Sequence, residues 1–211
     1  RPVRKVMELA CGTGEVSMRL DDKGFEVVGV DLSKNMLEIA KKKAQGRPIE
    51  WLQADMRVLE EVPTTDAVTL FSDSLCYLTD FEDVVSVFEA VYKHLEEDGI
   101  FLFDVHSLYQ MQEVFPGYQY HFVEDDFAFL WQSYELDDPG SVEHVIDMYI
   151  KQEDSNLYEH FQEVHEEQTF PIEMYESALE MVGFTNIKVK ADFGQSEVQE
   201  TSPRWFFQAV K

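Results

Sequence analysis

Apolar positions follow two rhythms along this chain. In the first half, short apolar runs alternate with stretches whose apolar residues recur every three to four positions. Val3, Val6, Met7 and Leu9 make the first run, and Cys11-Gly12-Thr13-Gly14 closes it as a turn. Residues 15–20 read as a helix, and F-E-V-V-G-V over 25–30 as a buried strand ending at Asp31. Ser33 is a good N-cap for a helix through Ala44, with Met36, Leu37, Ala40 and Ala44 on one face. Strands follow at 49–53 and 67–71. Phe81, Val84, Val85, Phe88, Val91, Tyr92 and Leu95 mark a strongly amphipathic helix. Gly99 ends that unit, and 100–105 is a fifth strand. Strand and helix alternating at this spacing predict a parallel sheet with helices on both faces.

After Ser107 the period drops to two. Tyr118, Tyr120 and Phe122 alternate, as do Phe127, Phe129 and Trp131, then Val142, His144, Ile146, Met148 and Ile150. A fourth stretch runs from Leu157 to about Glu166. Turn compositions separate them: Glu124-Asp125-Asp126, Asp137-Asp138-Pro139-Gly140 and Glu153-Asp154-Ser155-Asn156. This is an antiparallel meander. The α/β pattern then resumes, with a helix through Met174, Tyr175, Ala178, Leu179 and Val182 stopped by Gly183, and strands at 185–191 and 205–210. The expected organisation is an α/β domain made of 1–117 and 170–211, carrying a β insertion at 118–169.

Charge changes the picture on the exterior. The chain of 211 residues has 42 Asp+Glu and 17 Lys+Arg, a net charge of −25. That balance argues against a nonspecific nucleic-acid binder and against docking on an anionic membrane. With 45% hydrophobic residues it does not imply disorder. The excess is uneven. Residues 1–50 carry 10 basic and 8 acidic side chains, whereas 118–169 carry 14 acidic and one basic, Lys151. The second region reads as a solvated acidic face or as a field favouring a cationic or amine-bearing ligand.

Cys11 and Cys76 do not make a disulfide framework, and no apolar run is long enough to span a bilayer. A soluble cytoplasmic protein is the expectation. The chain opens Arg1-Pro2 with a strand following at once, and a preceding segment is expected.

Glu8-Leu9-Ala10-Cys11-Gly12-Thr13-Gly14 sits between a strand and a helix, where glycines admit a ligand to the backbone. A dinucleotide loop would have a third glycine where Ser17 stands, and Glu15 would oppose a pyrophosphate. Taken in order, this loop resembles the nucleotide-site motifs of class I S-adenosylmethionine-dependent methyltransferases. So do V-V-G-V-D-L-S-K-N-M-L (27–37), Q-A-D-M-R (53–57), D-A-V-T-L-F-S-D-S-L-C-Y-L (66–78) and G-I-F-L-F-D-V-H-S (99–107). G-F-T-N-I-K-V-K with R-W-F-F-Q-A-V-K resembles that family's closing antiparallel pair. Ala10 departs from the family's usual glycine.

The resemblance implies a Rossmann-like, doubly wound, seven-stranded and mostly parallel sheet, and S-adenosyl-L-methionine as cofactor. It implies that Asp31 accepts the ribose hydroxyls and that Leu32 and Met36 pack on adenine. Asp55 would accept the adenine amino group with Met56 against the ring. Glu8 and the loop Ala10, Cys11, Gly12, Thr13 and Gly14 would hold the methionine part, and Phe71 would line the sulfonium. Bland uses compete: Asp31 as a helix N-terminal charge, Met36 as core, Asp55 as a turn residue.

The acceptor side is written less clearly. His106 follows the fifth strand, at the carboxyl edge where open α/β sheets bind ligands, and is the candidate to orient or deprotonate an acceptor. Tyr77 and Asp73 are further wall candidates. The insertion would roof the acceptor pocket or form a homodimer contact. His160 and His165 are five apart, so one strand points them to opposite faces, and no metal site is expected. The reading is a methyltransferase acting on a small-molecule acceptor. The alternatives are a non-catalytic S-adenosylmethionine-binding module and a nicotinamide-dependent oxidoreductase.

Overall fold

The computed structural model describes residues 2–153 and 155–211, so Arg1 and Asp154 of the third expected turn lie outside the described residues. Seven strands form the principal sheet: β1 (Lys5–Leu9), β2 (Glu26–Asp31), β3 (Glu50–Gln53), β4 (Thr65–Leu70), β5 (Leu95–His106), β10 (Thr185–Lys190) and β11 (Arg204–Val210). Their order is β10-β11-β5-β4-β1-β2-β3. The strands from β1 to β5 pair in parallel, while β11 runs antiparallel to both β5 and β10. The doubly wound, mostly parallel sheet is therefore present.

Among the described residues four α-helices cover it: α1 (Glu15–Asp22), α2 (Lys34–Ala44), α3 (Phe81–His94) and α4 (Ile172–Val182). The chain winds outward from β1 through β2 to β3, then restarts at β4 on the other side of β1. Right-handed crossovers put α1 and α2 on one face and α3 on the other. The loops after β1 and β4 thus diverge at the point where the strand order reverses, the usual ligand crevice of such sheets. Phe88, Phe101, Phe103, Tyr175 and Phe207 fill the core between the α3–α4 layer and the sheet.

Several expectations need correction in detail. Met36 was grouped with Leu37, Ala40 and Ala44 on one face of α2; those three are buried, whereas Met36 is 43% exposed and its competing reading as core does not hold. The helix begins at Lys34 with Ser33 Oγ accepting the Met36 N–H, a phase that turns Met36 outward. The fifth strand starts at Leu95, ahead of Gly99, because the backbone leaves α3 there and Leu95 pairs with Thr65. A single turn of π-helix at Gln110–Val114, unannounced by the periodicity, buries Met111.

Residues 119–168 form a separate antiparallel sheet of β6 (Gln119–Val123), β7 (Phe127–Glu135), β8 (Ser141–Lys151) and β9 (Tyr158–Gln168), ordered β6-β7-β8-β9. It is tied to the principal sheet where Thr169 Oγ1 donates to the His106 carbonyl at 2.7 Å. The Tyr77 ring also meets the His165 ring edge-on. No helix among the described residues is long and apolar enough to cross a membrane.

Candidate active site

The loop after β1 is built from left-handed residues: Ala10, Gly12 and Gly14 have φ of 50°, 53° and 82°. Ala10 thus takes up the backbone conformation that glycine adopts freely. The two glycines serve different ends. A Cβ on Gly14 would drive into the Trp51 ring from β3, whereas a Cβ on Gly12 meets nothing within 4 Å. Gly14 seats α1 against the sheet; Gly12 keeps a space open.

Asp31 holds this loop in place. Its Oδ2 accepts the Gly12 N–H at 2.7 Å and its Oδ1 accepts the Ser33 N–H at 2.8 Å, so one carboxylate joins the glycine loop to the start of α2. Cys11 is buried, its N–H bonded to the Val30 carbonyl, and burial pushes its thiol well above the usual range. Thr13 Oγ1 accepts from Lys43 at 3.0 Å. Glu8 lies beneath the loop, 5% exposed, with the Ser17 hydroxyl donating to it. Burial raises its carboxyl to about 7, against the lowering effect of Ser17. Ser17, where a dinucleotide loop has its third glycine, therefore holds a buried acid.

Beside this loop lies a cavity of about 360 Å³ lined by Ala10, Asp31, Leu32, Asp55, Met56 and Tyr77, among others. Met36 is not on its wall. Leu32 is 65% exposed, presenting an apolar side chain at the rim. The Asp55 carboxylate is engaged by its neighbour: Arg57 Nη2 approaches it at 2.6 Å, and Arg57 Nη1 reaches Asp83 at 2.7 Å. That hydrogen bonding holds the Asp55 carboxyl below its usual range.

A second cavity of about 480 Å³ has Phe71, Asp73, Asp104, Arg204 and Phe206 on its wall. The segment following β4 serves both cavities, since Phe71 and Asp73 face this one and Tyr77 the other. Arg204 from β11 grips Asp73 Oδ1 at 2.6 Å and also pairs with Asp104, whose carboxylate accepts the Ser72 and Asp73 backbone N–H groups. Burial works against ionisation of Asp73, but His106 and Arg204 outweigh it and hold its carboxyl low.

Behind Asp73, His106 meets two residues that the sequence did not single out for the site, Glu167 and His144. His106 Nε2 is 3.5 Å from Asp73 Oδ2 and 3.7 Å from Glu167 Oε2; His144 Nε2 is 3.9 Å from the same Glu167 oxygen. Asp73, His106 and Glu167 are also arranged as three ligands for a metal ion would be, all within 4.8 Å of one another. Glu167 is 4% exposed and His144 3%. Burial, reinforced by Asp73, raises the Glu167 carboxyl to about 8, and burial pushes the His144 imidazole down to about 4. His144 Nδ1 is bonded to Ser133 Oγ at 2.7 Å. His160 and His165 occupy β9, pairing with Tyr149 and His144.

Of the expected residues, the structure gathers Ala10, Asp31, Leu32, Asp55 and Met56 on one cavity, with Gly12 bonded to Asp31. Phe71 lies on the second cavity, His106 in the cluster behind it, and Glu8 beneath the loop. Asp104 had left a signal, as an acid inside the apolar run I-F-L-F-D-V-H. Glu167 and His144 had left none, because their neighbours in sequence are equally acidic or equally alternating.

The family described as "Methyltransferase domain" matches residues 6–99. YqeM of Bacillus subtilis (strain 168), provisionally named a methyltransferase, is 42% identical over 209 residues, covering 98% of this chain and 84% of that protein. An S-adenosylmethionine-dependent methyltransferase from Clostridium acetobutylicum ATCC 824 superposes with a TM-score of 0.89 at 28% identity, over 99% of this chain and 84% of that one. The sugar N-methyltransferase KedS8 from Streptoalloteichus superposes with a TM-score of 0.80 at 25% identity, over 99% and 80%.

Proposed function

Because this chain belongs to the S-adenosylmethionine-dependent methyltransferases, we propose that the 360 Å³ cavity receives the nucleoside of S-adenosylmethionine and that the methyl acceptor is a small molecule bound beside His106. The observation that carries this reading is the placement of Asp31. Its carboxylate lies on the cavity wall at the end of β2, and each of its oxygens, though used once by a backbone N–H, keeps a lone pair for a ribose hydroxyl.

The residues present fit the cofactor. The space that a Cβ on Gly12 would enter is open, the loop backbone is therefore approachable, and Leu32 and Met56 offer apolar surface for a purine. Bound there, S-adenosylmethionine supplies a methyl group on a positively charged sulfur. Asp31 orients the ribose, Asp55 accepts from the exocyclic amine in competition with Arg57, and Glu8 gives the loop a nearby buried carboxyl. Phe71 and Tyr77, on the segment between the two cavities, keep water from the transfer path. His106 takes a proton from the acceptor or holds the nucleophile in line. The small-molecule acceptor is supported by the likeness to KedS8, a sugar N-methyltransferase.

Calorimetric titration tests the cofactor half. Wild-type protein should bind S-adenosylmethionine and S-adenosylhomocysteine, and Asp31→Ala should weaken both. Unchanged affinity would remove Asp31 from the site. Transfer of a tritiated methyl group to fractionated metabolites and proteins tests the acceptor half, with label confined to protein overturning it.

A further inference from the structure

The geometry points to an ammonium-binding subsite formed by Asp73, His106, His144 and Glu167, and so to an aliphatic primary or secondary amine as the acceptor of this methyltransferase. The inference rests on the cofactor reading given above and names the substrate class of the same site.

Two buried polar atoms carry it. Glu167 Oε2 and His144 Nε2 have no hydrogen-bond partner among the described residues, although both side chains are more than nine-tenths buried. Leaving such atoms bare is costly, so a site that does so in isolation is built for a partner. That partner must be a donor with several protons. The Glu167 oxygen and Asp73 Oδ2 accept, and His144 accepts at Nε2 when Nδ1 donates to Ser133. Glu167 Oε2 lies 3.9 Å from His144 Nε2, so a nitrogen about 2.8 Å from both, the ordinary N–H···O distance, can bridge the two bare atoms, and Asp73 joins the group to the wall of the 480 Å³ cavity.

With His144 in that tautomer a hydroxyl acceptor, with its single proton, would leave one of the two bare atoms unsatisfied. A divalent metal among Asp73, His106 and Glu167 is opposed by the Arg204 guanidinium already on Asp73, which disfavours a further double charge. A singly charged ammonium suits both constraints. Aromatic rings back the subsite: Phe115 lies 5.0 Å from the His106 ring and 4.7 Å from the His144 ring, and Trp131 lies 5.3 Å from His144. The raised Glu167 carboxyl agrees with this, since an ammonium alongside returns it to the carboxylate.

The step balances as follows. The amine arrives as an ammonium and loses one proton to His106 Nε2, which frees the nitrogen lone pair. The N–C bond then forms as the S–CH₃ bond breaks, and its electron pair stays on sulfur as a neutral thioether. The positive charge passes to the N-methylammonium, still facing Glu167, and His106 returns its proton to solvent.

The test uses the full chain loaded with S-adenosylhomocysteine, with imidazole NMR reporting on His106 and His144. Ethylammonium chloride is the probe, and ethanol, of the same size but uncharged, is the control. Ethylammonium should shift both imidazoles saturably and ethanol should not. Glu167→Gln should weaken that response at least tenfold while calorimetry shows S-adenosylhomocysteine affinity unchanged. Asp73→Asn, expected to weaken it about fivefold, serves if the first variant does not fold. Absence of a saturable shift, an equal response to ethanol, or one equivalent of zinc captured by the wild type and lost in Glu167→Gln overturns the subsite. Failure of the wild type to bind S-adenosylhomocysteine overturns the cofactor reading instead, so the two failures are told apart.

Discussion

The loop after β1 and the sheet of β6 to β9 would contribute to neighbouring parts of the proposed site in opposite ways. In the loop, the residues that matter are adjacent in sequence. Ala10, Gly12 and Gly14 turn the backbone, and Asp31, at the end of the next strand, receives the Gly12 N–H. In the second sheet they are scattered. Ser133, His144 and Glu167 come from three different strands and meet only because β7, β8 and β9 align in register, Ser133 opposite His144 and Val142 opposite Glu167. A site made by local backbone geometry is fixed by a few residue types, whereas a site made by register depends on the whole sheet. The two regions should therefore respond differently to single substitutions.

The largest effect is expected in the loop. Gly14→Val places a branched side chain into Trp51 and forces it to a φ of 82°. Overpacking of about 1–3 kcal/mol and a left-handed penalty of about 1–2 kcal/mol add, so the variant should lose most of its stability in denaturant unfolding. Gly12→Ala carries only the second cost, because its Cβ points into open space, and should show its defect in cofactor binding. Equal stability of the two variants would abolish the distinction between a glycine that packs and a glycine that opens the cavity.

Asp31→Ala comes next. Two charge-assisted hydrogen bonds to backbone and the expected pair to ribose disappear together, and hydrogen bonds to charged groups are worth about 1.5–3 kcal/mol each. From the ribose pair alone, S-adenosylmethionine affinity should fall at least about 150-fold by calorimetry. Glu167→Gln, in the other region, should leave that affinity within about twofold. If both variants lose affinity alike, the two regions do not divide cofactor from acceptor.

This division explains what could be read before the fold was known. The α/β alternation, the meander and the glycine loop with Asp31 were legible because their periods and turn residues are local. Met36 was misplaced because a three-to-four-residue repeat leaves its edge positions undetermined, and the Ser33 cap sets the helix phase. The engagement of Asp55 by Arg57 and Asp83 was hidden because Asp83 is remote in sequence. Glu167 could not be told from Glu163 or Glu166 in a strand full of acids. Only its pairing opposite Val142, against the principal sheet, buries it.

The pH dependence of stability gives a third contrast. In the folded protein Glu167 holds its proton up to about pH 8, whereas unfolded it releases it near the ordinary value of 4.5. Between those pH values the native state binds more protons, so Glu167 makes stability fall as pH rises, with its full favourable contribution below 4.5. Glu8, raised to about 7, has the same sign over a narrower window. His144, lowered to about 4, has the opposite sign: its share rises with pH from about 4 to its ordinary 6.5. Comparing wild type with Glu167→Gln across pH 5 to 8 isolates the first contribution. Thermal midpoints should converge at the acidic end and separate in favour of the variant toward pH 8. Parallel curves would mean that Glu167 is not held protonated.

The smallest effect is expected at the rim of the proposed cofactor cavity. Leu32 is 65% exposed, so Leu32→Ala removes little buried area and should change unfolding stability by less than about 0.5 kcal/mol. If its side chain covers the adenine when cofactor is bound, the substitution removes apolar contact that exists only in the complex. About 40 Å² of apolar surface at roughly 25 cal/mol per Å² is about 1 kcal/mol, or fivefold in affinity. Calorimetry should therefore find weaker S-adenosylmethionine binding in a protein whose melting curve is unchanged. A loss of stability without a loss of affinity would assign Leu32 to the packing of α2 and leave the purine to Met56 alone.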